Sequence, residues 1–183
     1  MRTAPAVVAA ALAILVAGCG SGSSSTGSPS PSPVPGNNTT QVKFIAQLTT
    51  AAETPPIVPP DPEAGGTGTA NITLNVTKDA AGNISATTAD FQVNLNGFPN
   101  GTPINIAHIH LGAAGVSGGI HVNTGLVAGD LVLTNGSGSF TKNAVPVTAD
   151  DANGILNNPA NYYFNVHSTL HGGGVARGQL VKQ

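Results

Sequence analysis

Apolar and polar residues alternate along most of the chain beyond residue 41, as expected for β-strands with one buried face. The clearest run is residues 70–77, where Ala, Ile, Leu and Val alternate with Asn and Thr. Further runs begin near residues 42, 84, 104, 162 and 175, with shorter ones near 120, 130 and 140. Gly, Pro, Asn and Asp separate the runs and favour turns. The pattern predicts an all-β Greek-key sandwich or barrel of eight or nine strands.

One segment carries the pattern of a helix start. Thr148 can accept hydrogen bonds from free N–H groups, and Asp150 and Asp151 suit the positive end of a helix dipole. Pro159 limits the length of the helix. We therefore expect one short helix near residues 149–157.

The first 18 residues have the features of an export signal. Arg2 precedes an apolar run from Val7 to Val16 that is too short to span a membrane. Residues 15–19, Leu-Val-Ala-Gly-Cys, resemble the lipobox of bacterial lipoproteins, which implies that Cys19 is diacylated and anchors the protein. Because the chain has no other cysteine, Cys19 cannot form an internal disulfide. The alternative is an ordinary secretory signal cleaved nearby.

Composition separates the linker from the domain and limits the partners. Residues 19–40 comprise the lipidated cysteine and a Gly/Ser/Pro-rich linker that we expect to be disordered, and residues 41–183 form the β domain. Only 8% of residues are charged and the net charge is −2, so no basic surface for nucleic acid is present. We expect a protein exported to the bacterial cell envelope, lipid-anchored at the outer membrane or cell surface, with an unidentified protein or envelope partner.

Two strands carry histidines in a pattern that suggests a site. His108 and His110 share one face of their strand, while Ile109 and Leu111 take the other, which we expect to be the buried face. Near the C-terminus, Asn165 and His167 likewise share a face opposite Phe164 and Val166. The pattern therefore predicts several histidines on the side of the sheet away from the core.

These motifs resemble those of the CHRD (chordin-type) domain family, over about residues 41–183. The matching segments are Glu53–Pro56, Gly68–Ala70, Ala107–His110 with Gly112 and Gly115, Tyr163–Ser168 and Gly174–Gln179, the last including Arg177 and Gly178. Val175 stands where the family has Glu, and Gly119 where it usually has Pro. The resemblance implies an extracellular β-sandwich with no established enzymatic reaction.

A second resemblance is to the architecture and copper site of copper-zinc superoxide dismutase. It implies that His108, His110 and His167 match copper ligands, that His121 matches the bridging histidine, and that Arg177 matches the anion-guiding arginine. The zinc-loop ligands and the dismutase disulfide have no counterpart. From the residues themselves, Arg177 is expected to bond the loop after His110 instead, as a planar five-donor group can.

Two functions remain open from the sequence. The first is a membrane-tethered binding or structural module without catalysis, with no certain cofactor, in which the histidines only form structural hydrogen bonds. The second is a protein that binds copper or zinc through His108, His110, His167 and His121, as imidazoles can. A metal site requires His167 to lie within about one strand spacing of the His108 and His110 face.

Overall fold

In the computed structural model, which describes residues 38–183, ten strands form one antiparallel sheet. They run in the order β5-β4-β8-β9-β1-β2-β3-β7, with β6 paired to β4 and β10 to β1, and the sheet nearly closes into a barrel. The strands are β1 (Asn38–Thr49), β2 (Thr67–Lys78), β3 (Ile84–Asn96), β4 (Pro103–Leu111), β5 (Ile120–Asn123), β6 (Leu131–Val132), β7 (Gly138–Pro146), β8 (Tyr162–Ser168), β9 (Ala176–Gln179) and β10 (Val181–Lys182). The predicted all-β class is confirmed.

The short helix also forms where its start signal predicts. Helix α1 spans Ala149–Asn157, and the Thr148 hydroxyl accepts a hydrogen bond from the Asp151 backbone N–H at 3.1 Å. Two 3₁₀ turns, Thr50–Ala52 and Pro159–Asn161, were not predicted from the sequence. No helix in residues 38–183 is long and apolar enough to cross a membrane.

Three residues assigned to the predicted linker, residues 38–40, lie in a strand. Strand β1 starts at Asn38, and Thr39 pairs with Thr77 of β2, their hydroxyl oxygens 2.9 Å apart. Residues 38–40 therefore belong to the sheet, because cross-strand partners on β2 extend far enough to hold them. The predicted signal segment, Cys19 and the rest of the linker lie outside the described residues.

The predicted burial of β4 is wrong in two respects. The Ile109 face packs in the core, but Leu111 on the same face is 42% exposed at the strand end. The opposite face is not exposed, since His108 is 2% and His110 7% exposed. Loops cover this second face: the carbonyls of Ala52, Gly118 and Gly172 accept hydrogen bonds from side chains on it. All residues of β8 are buried for the same reason.

Candidate functional site

Pairing of β4 with β8 brings three histidines together on the loop-covered face. His108 lies opposite Asn165, and His167 lies opposite Ile106 two residues away, so His108 and His167 are diagonal neighbours. His108 Nδ1 is 3.3 Å from His167 Nε2. One ring nitrogen from each of His108, His110 and His167 lies within 4.8 Å of the others. His167 thus meets the spacing that a metal site requires.

Backbone carbonyls fix the orientation of two of these rings. His110 Nδ1 is 3.0 Å from the Gly118 carbonyl oxygen, and His167 Nδ1 is 3.0 Å from that of Gly172. Because a carbonyl only accepts, each Nδ1 donates its proton, and each neutral ring keeps a lone pair on Nε2. His108 Nδ1 donates to His167 Nε2, whereas His110 Nε2 is buried and has no partner among the described residues. Metal-binding histidines are commonly held in this way, with one ring nitrogen donating to a backbone carbonyl and the other free to bind the ion, as in His110 and His167.

Burial keeps the three imidazoles neutral near pH 7. It lowers the pKa of His108 to about 4, and the neighbouring His167 and His110 act in the same direction. Burial also lowers the pKa of His110, where Arg177 adds to the effect, and that of His167, where His110 does. In both rings the carbonyl hydrogen bond opposes the shift. Neutral imidazole is the protonation state that binds metal ions.

The spacing of the ring nitrogens suits a small transition metal ion. Two nitrogens bound to one tetrahedral zinc at the usual bond length lie about 3.3 Å apart. His108 Nδ1 and His167 Nε2 are already 3.3 Å apart, and an ion between them would replace the proton of His108 Nδ1, leaving that ring protonated on Nε2. All three ligand nitrogens lie within 4.8 Å of one another. The group contains imidazoles only, which suit copper and zinc better than magnesium or calcium.

A stack of three side chains borders the cluster. His110 on β4 and Tyr163 on β8 have ring centroids 4.9 Å apart, and the two rings are 4° from parallel. Arg177 on β9, the strand on the other side of β8, places its guanidinium carbon 4.6 Å from the centroid of the Tyr163 ring. The Tyr163 hydroxyl accepts a hydrogen bond from Gly118 N–H at 3.2 Å. Sequence reasoning gave Tyr163 no role beyond packing. Strand alternation in β8, which places it on the face of Asn165 and His167, was the signal that could have found it.

Arg177 is a buried structural residue. Its guanidinium donates to the Ala52 carbonyl at 2.6 Å, to the Val116 carbonyl at 3.2 Å and to the Thr54 hydroxyl. The bond to Val116 confirms the predicted contact with the loop after His110. This geometry does not favour the alternative role as an anion-guiding arginine, because the side chain is 2% exposed and each of its three nitrogens donates to the protein.

Glu53 lies beside Arg177 and was noted in the sequence only as part of a family motif. Its Oε2 is 4.0 Å from Arg177 Nε and 3.5 Å from Asn165 Nδ2. Burial raises the pKa of Glu53 to about 7, and Arg177 partly opposes the shift. Glu53 Oε1 and Asn165 Oδ1 are buried and have no hydrogen-bond partner among the described residues. The polar interior therefore extends from the histidines through Asn165 to Glu53.

His121, predicted as a fourth ligand, lies outside the cluster. In the register of β4 with β5, Val122 pairs with Ile109 and Ile120 with His110, which leaves His121 as the extra residue of a bulge. Its Nδ1 lies 2.5 Å from Asp151 Oδ1, in the first turn of α1. The bulge carries this ring away from β4, and the sequence pattern gave no sign of it.

The remaining motif residues hold the scaffold. The Ala107 carbonyl accepts from the Thr124 hydroxyl at 2.8 Å, and Gly112 N–H donates to the Asn161 carbonyl at 2.7 Å. Gly178 is required for packing, because a Cβ there would lie 2.0 Å from the Gln47 carbonyl oxygen. Gln179 Nε2 donates to the Gly112 carbonyl at 3.0 Å. Val175, which replaces the family Glu, is fully buried among apolar residues.

Comparison with known families places this geometry in context. The CHRD domain family model matches residues 44–180, which include the three histidines, Glu53 and Arg177. The chain belongs to the CHRD domain family. CHRD membership supports a binding or structural module in general terms. No curated protein and no solved structure gives a significant match.

Proposed function

We propose that this CHRD domain binds one copper or zinc ion through His108, His110 and His167. The observation that carries the proposal is the convergence of one nitrogen from each ring within 4.8 Å in a buried site. The unpaired Nε2 atom of His110 also supports the proposal. A buried lone pair without a hydrogen-bond donor destabilises the folded protein, and a bound metal ion would offset this cost.

The proposed role is binding without turnover. The three ligands are 2%, 7% and 5% exposed, so loops separate the cluster from solvent. Arg177, the group that would guide an anion in a dismutase, is engaged with backbone carbonyls. Both observations favour a bound ion that holds β4, β8 and their loops together, as structural metal sites do.

We further propose that the protein is a lipoprotein of the bacterial cell envelope, anchored through Cys19. The lipobox-like residues 15–19 and the lack of any other cysteine support this anchor. It would place the metal-binding domain outside the cytoplasm, beside an envelope partner still to be identified. Labelling of cells with radioactive palmitate should mark the parent protein and leave the Cys19→Ser variant unlabelled. Labelling of both would contradict the anchor.

A purely structural role for the histidines is the competing function. It is favoured by the hydrogen bonds of His110 to Gly118 and of His167 to Gly172, which tie loops to the sheet without a metal. Under this alternative the domain would serve as a binding module through another surface, and the cluster would not bind metal.

Cobalt titration distinguishes the two functions. The full chain carrying Cys19→Ser, which removes a competing thiol, should bind one Co²⁺ with the visible bands of a tetrahedral site. The His108→Ala/His110→Ala double variant should weaken binding more than about 100-fold, since losing ligands costs more than losing the groups that hydrogen-bond to them. His121→Ala is the matched control and should bind as the parent does. Absence of stoichiometric binding by the parent, or equal binding by the double variant, would overturn the metal proposal.

A further inference from the structure

A cleft lies next to the histidine cluster, on the outer side of the loops that cover it. Its cavity volume is about 330 Å³. One wall is the Pro-rich segment after β1, including Glu53, Pro56 and Asp61, and the other is the glycine-rich turn after β8, including His171 and Gly173. The cleft therefore separates the two chain segments that enclose the site on this side.

The side chains at the cleft are typical metal-binding groups. His171 Nε2 lies 3.0 Å from Asp61 Oδ2 and 3.8 Å from Glu63 Oε2. The Asp61 side chain is 26% exposed, so an ion entering the cleft can reach its carboxylate. Glu63 and the His171 Nε2 atom, 3.0 Å from Asp61 Oδ2, are buried behind it. An imidazole and two carboxylates this close attract cations and can exchange ligands with a passing metal ion.

The walls of the cleft continue directly into the cluster. Gly172, whose carbonyl holds His167 Nδ1 at 3.0 Å, lies between His171 and Gly173, both of which line the cleft. On the other wall, Glu53 contacts Asn165, and Asn165 pairs with His108 across the β8–β4 ladder. The glycine-rich turn that lines the cleft is therefore the same turn that holds the cluster ligand His167.

We propose that this access cleft, with Asp61 and His171 at 3.0 Å in its wall, is the route by which a divalent metal ion reaches His108, His110 and His167. The inference rests on the proposed metal function. Asp61 and His171 capture the ion transiently, and movement of the glycine-rich turn passes it to His167. The turn stays attached meanwhile, because Ser168 Oγ donates to Glu63 Oε2 at 2.6 Å and His171 N–H donates to Ser168 Oγ at 3.0 Å.

Two substitutions test the route without dismantling the loops. Asp61→Asn keeps the side-chain oxygen that accepts from Glu63 N–H at 2.8 Å, but removes the charge. His171→Gln removes the imidazole. Asp79→Asn is the matched control, since Asp79 caps the β2–β3 turn through the same kind of hydrogen bond, to Ala81 N–H at 2.9 Å, and does not line the cleft.

Stopped-flow loading of Co²⁺ into the full chain carrying Cys19→Ser measures the effect. Asp61→Asn should load about tenfold more slowly, as expected when a steering charge is lost, and His171→Gln should also be slow. The Kd should remain that of the parent, because a residue that acts only on the access route changes the rates of loading and release by the same factor.

Loading of both variants at the rate of Asp79→Asn would overturn the inference. Loss of equilibrium binding in Asp61→Asn would also overturn it, since Asp61 would then be a ligand. Failure of the parent to bind cobalt would instead refute the proposed function itself.

Discussion

The β2–β3 part of the sheet and the β4–β8 part have opposite relations to solvent. In β2 and β3, buried apolar residues such as Ile72 and Phe91 alternate with outward Asn and Thr residues that reach solvent. In β8, every residue is buried, although Asn165, His167 and Ser168 are polar. The two parts have the same strand period, so the difference comes from the loops that cover one face of β4 and β8.

Covering a polar face changes what its side chains must do. An outward Asn on β2 can bond to water, whereas a buried Asn, His or Arg must find a partner within the protein. The β4–β8 face meets this need with backbone carbonyls, with the Glu53–Arg177 pair and with contacts among the histidines themselves. The few atoms left unpaired, such as His110 Nε2, mark where a ligand is expected.

The largest contrast should come from removing one cation beneath the covering loops, on β9 next to β8, and one on the exposed face of β1, next to β2. Arg177→Ala leaves Glu53 and two carbonyls buried without their partner, and we expect it to lower the free energy of unfolding by about 3–5 kcal/mol. Lys43→Ala, on an exposed position of β1, should change it by less than about 0.5 kcal/mol. Urea denaturation measures both, and equal effects would show that the covered face contributes nothing special to stability.

Two asparagines allow a smaller contrast with the same side chain. Asn165→Ala removes the partner of Glu53 Oε2 from a residue that is 2% exposed, so we expect a loss of about 1–3 kcal/mol. Asn71→Ala, on the exposed face of β2, should stay within about 0.5 kcal/mol of the parent. Thermal or urea denaturation of each variant measures this loss of stability. An Asn165→Ala variant as stable as Asn71→Ala would contradict the account.

The smallest effect concerns pH. The pKa of His108 is lowered to about 4 in the folded state, so its contribution to stability is lost as pH falls from about 6.5 toward 4. The pKa of Glu53 is raised to about 7, so its contribution is lost as pH rises from about 4.5 toward 7. Glu53→Gln removes this opposing dependence. The unfolding free energy of the variant should therefore rise more steeply between pH 5 and pH 7 than that of the parent.

Chelator-treated protein is needed for that comparison, so that metal binding does not add its own pH dependence. Parallel pH profiles for the parent and Glu53→Gln would show that Glu53 titrates normally in the folded chain.

Local pattern predicted the strands and the helix because each depends on nearby residues. Alternation in residues 70–77 is enough to define β2, and Thr148 with Asp151 is enough to start α1. Alternation also predicted that Asn165 and His167 share a face, which the pairing with β4 confirms.

What local pattern could not predict depends on distant segments. The burial of His108 and His110 is produced by loops from residues 52, 118 and 172, and a strand pattern does not show whether a loop will cover it. The displacement of His121 follows from a bulge in the β4–β5 register. Glu53 takes part in the buried polar interior because it lies beside Arg177, which is more than 120 residues later in the chain. Each of these depends on how strands and loops pair in the folded chain, which the alternation within one strand does not show.

The most direct test of the central claim is a crystal structure of the protein grown with zinc, with anomalous diffraction data collected on both sides of the zinc edge. We predict one anomalous peak about 2.0–2.1 Å from a ring nitrogen of each of His108, His110 and His167. A cluster that keeps the His108–His167 hydrogen bond and shows no peak in zinc-containing crystals would contradict the claim. The histidines would then be structural residues of a covered sheet face.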